Sequence, residues 1–209
     1  MTVEESPALG THERIADLER KIGELTAELN EQRRSAPGVE VSDYPFKTLE
    51  GEVLLSGLFA GRDRLLAIHN MGQACRYCTL WADGINGVLP HLESAMAVVL
   101  LSKDEPSVQR RFAASRGWKF RLASHGGGAY IREQTTCPGV DNMPGAVLYE
   151  LRGGGVWRKN ATVFGPGDMF CPSWNFLAMA GIPAEEWTPQ FNYWLRPAAL
   201  DDGGLNVLE

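Results

Sequence analysis

The segment RLLAIHNMGQACRYCTLWADG, residues 64–84, sets how the rest of the chain is read. Its first eight residues, Arg64 to Met71, form a mostly apolar run bounded by charged and glycine-containing stretches, the pattern of a buried central strand. After Cys78 the apolar positions Trp81, Ile85, Val88, Leu89 and Leu92 recur at helical spacing. A strand that hands over to a helix places Cys75 just past the strand's carboxyl end and near the first helical turn. There the helix dipole and unpaired backbone N–H groups favour a thiolate. Arg76 adds a positive charge beside it. Cys78 follows one turn later on the same face and is expected to be the less exposed of the two. Such a pair can attack a disulfide through Cys75 and resolve the mixed disulfide through Cys78. Two other readings share the spacing: half of a zinc site, and a pair of inert core thiols.

Outward from this segment the pattern continues. MAVVLLS, residues 96–102, reads as a second buried strand, Pro106 opens a helix that stops at Gly117, and WKFRLAS, residues 118–124, is a third strand. Strand, helix, strand, helix, strand in that order implies parallel pairing through crossover helices. Pro90, inside the helical pattern, must kink that helix or begin a second one. The stretch after Ser124 is loop-rich up to Asn142. Two strands then flank Gly153–Gly155, most simply an antiparallel hairpin. The triple glycine precedes a strand, so it is a turn and no phosphate cradle. PSWNFLAMAG reads as a final helix, and an aromatic segment over 183–197 is expected to lie on the core. Upstream, GEVLLSGLF gives a short strand and turn. Residues 11–34 read as a charged helix in which Ile15, Leu18, Ile22, Leu25 and Leu29 follow a/d spacing. It either packs on its own domain or joins a second copy in a homodimer. The expected division is an N-terminal amphipathic helix extension over 1–38, an α/β domain over 39–195, and a loose tail over 196–209.

In this order the elements resemble the thioredoxin fold, an α/β fold with a central mixed sheet flanked by helices. More closely, CRYCTLWADGINGVLPHL resembles an uncharacterised bacterial thioredoxin-like family of predicted dithiol-disulfide oxidoreductases. Its C-x-x-C-x-x-W-x-D segment, followed by G-x-x-P-H-L, falls here on Cys75, Cys78, Trp81, Asp83, Gly87, Pro90, His91 and Leu92. The charged N-terminal helix, GWKF and GPGDM fit the same family in order, so the resemblance runs from residue 11 to 195. The loop between Ser124 and Asn142 departs from the family form. The resemblance implies thiol–disulfide exchange with Cys75 as nucleophile and Cys78 as resolving thiol, and it requires no bound cofactor. Substrates would be disulfide-containing proteins or small thiol compounds, with a cellular thiol reductant as electron source. It further implies a cis Met143–Pro144 bond beside Cys75, with Met143, Pro144, Arg76 and Tyr77 as the substrate-binding surface. Taken by itself, a proline that opens a strand is more often trans.

Composition bounds the alternatives. With 44% apolar residues the chain is globular, and its net charge of −6 gives no footprint for nucleic acid. No apolar run reaches the roughly 18–20 residues of a membrane span, and the acidic start lacks the features of a secretory signal. These readings place the protein in the cytoplasm, where Cys75, Cys78, Cys137 and Cys171 are expected to rest as thiols.

Zinc would need two more ligands, and His69, His91, Cys137 and Cys171 are the available partners, scattered in sequence; no metal is expected. The P-x-x-x-[TS]-x-x-C pattern of peroxiredoxins is absent, since Gly72 and Ile68 precede Cys75 at the required positions and Cys75 and Met71 precede Cys78. SHGGG, from Ser124, lacks the G-x-S-x-G partner of a lipase site. Asp83 could accept the proton of Cys78 or serve as an ordinary helix carboxylate. Trp81 is expected in the core, His91 as a packing or capping residue, and Cys137 and Cys171 as ordinary thiols. From a different functional class, the chain could be a non-enzymatic binding protein on the same scaffold, its dithiol vestigial or a metal clip.

Overall fold

A computed structural model describes residues 7–189. The chain divides into two compact units, one ending at Pro37 and the other starting at Gly38. The first is a single helix, α1, Pro7–Ser35. It begins four residues before Thr11, at a proline whose missing N–H costs nothing in a first turn. The aromatic segment beyond residue 189 and the C-terminal tail lie outside the described residues.

The second unit is built on one eight-stranded sheet. In chain order its elements are β1 Val39–Val41, β2 Pro45–Thr48, β3 Gly51–Leu54, a 3-10 turn over Leu55–Phe59, β4 Arg64–His69, α2 Arg76–Ala95, β5 Ala97–Ser102, α3 Pro106–Arg116, β6 Arg121–Ser124, α4 Ala129–Glu133, β7 Gly145–Arg152, β8 Gly155–Val163, α5 Pro172–Met179, and a 3-10 turn over Ala184–Glu186. Across the sheet the order is β1-β8-β7-β4-β5-β6-β2-β3. β4, β5 and β6 pair in parallel, joined by α2 and α3, while β7 runs antiparallel to β4 and to β8. The expected crossovers and hairpin are therefore present.

Alternation along the strands divides the apolar residues between two layers. Leu65 and Ala67 face a layer with Phe46, Phe59, Tyr130 and Tyr149, whereas Ile68 faces one with Trp81, Leu89, Phe164 and Trp174. All six residues of β5 are buried, as a strand covered on both faces requires. Gly117 ends α3 in the left-handed region at φ 70, a conformation that suits glycine. The kink or break expected at Pro90 takes the mildest form: α2 runs continuously from Arg76 to Ala95 with Pro90 inside it. Pro90 is exposed, so the carbonyl that loses its intrahelical partner can be hydrated.

Candidate active site

Cys75 occupies the N-cap position of α2, with extended backbone at φ −78 and ψ 100. Its sulfur accepts the N–H of Cys78 at 3.1 Å, the local bond that an N-cap side chain makes with the third helical residue. The Cα atoms of Cys75 and Cys78 are 5.3 Å apart and the two sulfurs are paired as a disulfide. The loop between β4 and α2 is fixed by its own polar groups. Asn70 Oδ1 accepts the N–H of Gly72 at 2.8 Å, and Asn70 Nδ2 donates to the carbonyl of Cys78 at 3.5 Å. The Met71 N–H points at Cys78 Sγ at 3.4 Å, and the Met71 sulfur lies 4.0 Å from Cys75 Sγ. Asp104, just past β5, accepts the Gln73 N–H at 2.9 Å; burial raises its carboxyl pKa, against the lowering effect of that hydrogen bond and of Lys103.

Both sulfur-bearing residues are buried, Cys75 at 2% and Cys78 at 3% exposure, so the expected difference between an open and a covered cysteine is not found. Met71 lies against both sulfurs, and aromatic side chains pack together along the same end of α2. Tyr77 stacks on Trp174 at 6.4 Å and tilts against Trp81 at 6.3 Å, while the Arg76 guanidinium lies over the Tyr77 ring at 5.8 Å. Trp81 itself is core, stacked on Phe164 at 5.4 Å. On the other side, Gly145 opens β7 directly opposite His69, so Pro144 and Met143 continue alongside the loop that carries Met71. Asn142 Nδ2 reaches the Met71 carbonyl at 3.5 Å. Gly145 is required here because a Cβ would collide with Thr136 Cγ2 and the Thr162 carbonyl.

The Met143–Pro144 bond corrects an expectation: no peptide bond among the described residues is cis. The extended trans form already satisfies the surrounding groups. Pro144 O accepts the Phe164 N–H at 3.0 Å, and Thr136 Oγ1 lies 3.4 and 3.3 Å from the Met143 and Pro144 carbonyls. Trans is also the cheaper isomer by about 0.5–1 kcal/mol.

Asp83 has partners away from the dithiol. Its carboxylate accepts from Trp118 Nε1 at 2.7 Å and forms an ion pair with Arg116, tying α2 to the end of α3 and the approach to β6. His91 is exposed on α2, where its carbonyl accepts the Ser94 hydroxyl at 2.7 Å. Cys137 sits in a tight turn that closes on Val140, and Cys171 is a buried free thiol at the N-cap of α5. Asp168 of GPGDM holds that junction by accepting the N–H groups of Gly165, Phe170 and Cys171 at 2.9–3.1 Å. Among the described residues, no three His, Cys, Asp or Glu side chains come together to hold a metal.

What sequence reasoning missed lies on the other face of β4. His69 shares the layer of Leu65 and Ala67, and its Nε2 meets the Tyr130 hydroxyl at 2.7 Å. The Tyr149 hydroxyl lies 3.2 Å from that of Tyr130 and 3.4 Å from Gln134 Oε1. Gln134 Nε2 donates to the Tyr44 hydroxyl, which donates to Glu133 Oε2 at 2.6 Å. This chain of polar groups pins the 125–143 loop over the sheet end. The signal for it in the sequence is slight: polar His69 and Asn70 stand at the end of an apolar strand.

Burial keeps both nearby histidines neutral. Desolvation, reinforced by His125 and Arg158, brings His69 down to about 3, and desolvation with Lys103 brings His125 to about 4. Unfolded imidazoles titrate near 6.5, so the unfolded chain takes up protons first as the pH falls. The stability tied to the neutral imidazoles is therefore whole above pH 6.5 and is lost as pH drops from there toward 4. The expected loss is about 2 kcal/mol per histidine by pH 5. Urea midpoints at pH 8, 6.5 and 5 check this. His125→Asn keeps an acceptor for the Gly127 N–H, which His125 Nδ1 now accepts at 3.1 Å, and should flatten the acid limb. An unchanged limb would show that His125 does not contribute.

A parallel βαβ unit whose crossover helix is capped by a CxxC pair, followed by an antiparallel hairpin and a helix, is a thioredoxin-like fold. Residues 9–197 match the family described as bacterial protein of unknown function, DUF899, and the chain belongs to that family. No curated protein matches the chain. Among solved structures it is similar to the peroxidoxin BcpB from Mycobacterium tuberculosis, with 14% identity over 61% of this chain and 85% of that one, at a TM-score of 0.49. It is also similar to peroxiredoxin Q from Xanthomonas campestris, with 19% identity over 69% and 95% of the two chains and a TM-score of 0.47. A candidate thiol:disulfide interchange protein DsbE from Chlorobium tepidum gives 21% identity over 68% and 95%, with a TM-score of 0.48. Among the described residues no helix is long and apolar enough to cross a membrane.

Proposed function

We propose that the protein is a thiol–disulfide oxidoreductase acting through Cys75 and Cys78. The observation that carries this reading is the pairing of the two sulfurs at the N-terminus of α2, with Cys75 as the cap. In the reduced protein the helix N-terminus and the Cys78 N–H stabilise a Cys75 thiolate. That thiolate attacks one sulfur of a substrate disulfide, forming a mixed disulfide and releasing the first substrate thiolate. The Cys78 thiolate then attacks Cys75 Sγ, releases the second substrate thiol, and closes the Cys75–Cys78 bond. The substrate gains two electrons and two protons, and a thiol reductant from the cell returns the protein to its dithiol. Met143, Pro144, Arg76 and Tyr77 would line the approach. Asp83 is left out of proton transfer because Arg116 and Trp118 occupy its carboxylate.

The burial of both sulfurs favours a second reading, a non-enzymatic binding protein in which the pair is a buried staple, since covered cysteines exchange poorly. One titration separates the two. The purified chain is equilibrated across thiol–disulfide buffers, alkylated, and each cysteine read by mass. A reversible Cys75–Cys78 couple between about −270 and −120 mV is expected, within the range of working oxidoreductases. In the same assay Cys78→Ser should accumulate mixed disulfides on Cys75. A pair that never opens below strongly reducing potentials, with no trapped partner, would leave only the staple.

A further inference from the structure

The unit before Pro37 carries a feature that the dithiol does not use. Along α1 the side chains Ile15, Leu18, Ile22, Leu25 and Leu29 form one apolar stripe, each between 38% and 64% exposed. Five large aliphatic residues in a continuous exposed row are more than the scattered single residues of an ordinary surface. Their spacing of three and four places Ile15, Ile22 and Leu29 at a positions and Leu18 and Leu25 at d positions of a heptad. Ile15 and Ile22 make two of the three a positions β-branched, with Leu29 at the third. Among parallel coiled coils, β-branched a residues with leucine at d favour two strands over higher assemblies. The flanking charges fit the same arrangement. In a parallel pair each g residue faces the e residue five positions later on the other helix. Arg14 would then face Glu19 of the second copy, and Glu28 would face Arg33, so both charged pairs have opposite signs and symmetry doubles each. Within the helix, Arg20–Asp17, Arg20–Glu24 and Arg34–Glu31, at 2.6–2.7 Å, lie among the c and f positions on the far side. Asp17 also pairs with the g residues Arg14 and Lys21 at 3.4 and 2.8 Å, so Arg14 would exchange one partner for another on pairing.

From the stripe and its self-complementary flanks we infer that α1 is a parallel two-stranded coiled coil with a second copy of this chain. The seam is little more than two heptads, so the dimer is expected to dissociate on dilution. Neither cysteine of the dithiol lies on α1, and substitutions in its stripe should leave the Cys75–Cys78 couple unchanged.

Sedimentation of the full chain over a concentration series tests the inference. The wild type should move from 23.0 kDa at low concentration to twice that mass. Ile22→Lys with Leu25→Lys should stay at the monomer mass throughout while keeping the wild-type redox titration. Glu28→Arg alone should weaken the dimer several-fold, and adding Arg33→Glu should restore it, because the swap re-forms the pair only between parallel helices. In an antiparallel register that sets Ile22 against Leu25, Glu28 would face Lys21, and the second substitution would not rescue the first. A wild type that remains monomeric, or a dimer that survives the seam substitutions, would overturn the inference. A dimer that the charge swap fails to rescue would overturn the parallel arrangement.

Discussion

Cys75→Ser is expected to abolish acceleration of insulin reduction by dithiothreitol, leaving the rate of dithiothreitol alone. Exchange begins with a thiolate on a disulfide sulfur, and a serine hydroxyl at the same position is not ionised near neutral pH and does not perform that attack. The substitution should be structurally mild. Serine is a favoured N-cap residue, so its oxygen can take over the Cys78 N–H that Cys75 Sγ now accepts at 3.1 Å. A loss of rate in a variant whose melting transition matches that of the dithiothreitol-reduced wild type therefore reports chemistry and not unfolding. Equal acceleration by the wild type and the variant would sink the enzymatic reading and leave the binding protein. The burial of both cysteines adds a second expectation to the same experiment. Attack requires local opening around the buried pair, so small disulfides should react faster than folded protein disulfides.

Tyr130→Ala is expected to cost about 3–5 kcal/mol, the range for removing a fully buried large aromatic residue. Tyr130 is 2% exposed, packs against Tyr44, Phe46 and His69 at 4.7–5.5 Å between ring centres, and hydrogen-bonds to His69. Its loss opens a cavity and leaves His69 with both ring nitrogens unpartnered, since Nδ1 already lacks a partner. For a chain of this size the melting temperature should fall on the order of 10 °C. Tyr130→Phe separates the two contributions. It keeps the ring and removes the hydroxyl, and should cost about 1–3 kcal/mol for the groups left unpaired. Thermal melts of the three proteins check both values. If Tyr130→Phe were as damaging as Tyr130→Ala, the hydroxyl network and not the packing would hold the 125–143 loop.

How much of the molecule is legible in its residues follows from the range over which each feature is encoded. The apolar run 64–71, the helical periodicity after Cys78 and the a/d stripe of α1 are local patterns, repeating every two, three or four residues, and each forms the element it suggests. The place of Cys75 at the helix start is equally local. A strand followed by a helix fixes it, and the cap bond to Cys78 spans three residues. The loop over 125–143 has no such pattern. Its glycines, threonines and single proline carry no period, so neither the short helix α4 nor the role of Tyr130 can be read from it.

Side-chain partners at long range are set by packing alone. Asp83 reads as a candidate proton acceptor, but the fold brings it Arg116 and Trp118, 33 and 35 residues away. His69 reads as a candidate metal ligand, but strand alternation turns it to the face covered by Tyr130, 61 residues on. The α/β order, the helix-capping dithiol and the amphipathic helix were already written in the order of residues, because they follow from backbone geometry over a few positions. That both sulfurs are covered, that Pro144 is trans, and that the neighbouring polar residues are committed to one another came from the folded chain alone. Those outcomes depend on which surfaces meet when the loops close over the sheet, and residues brought together that way share no pattern along the chain.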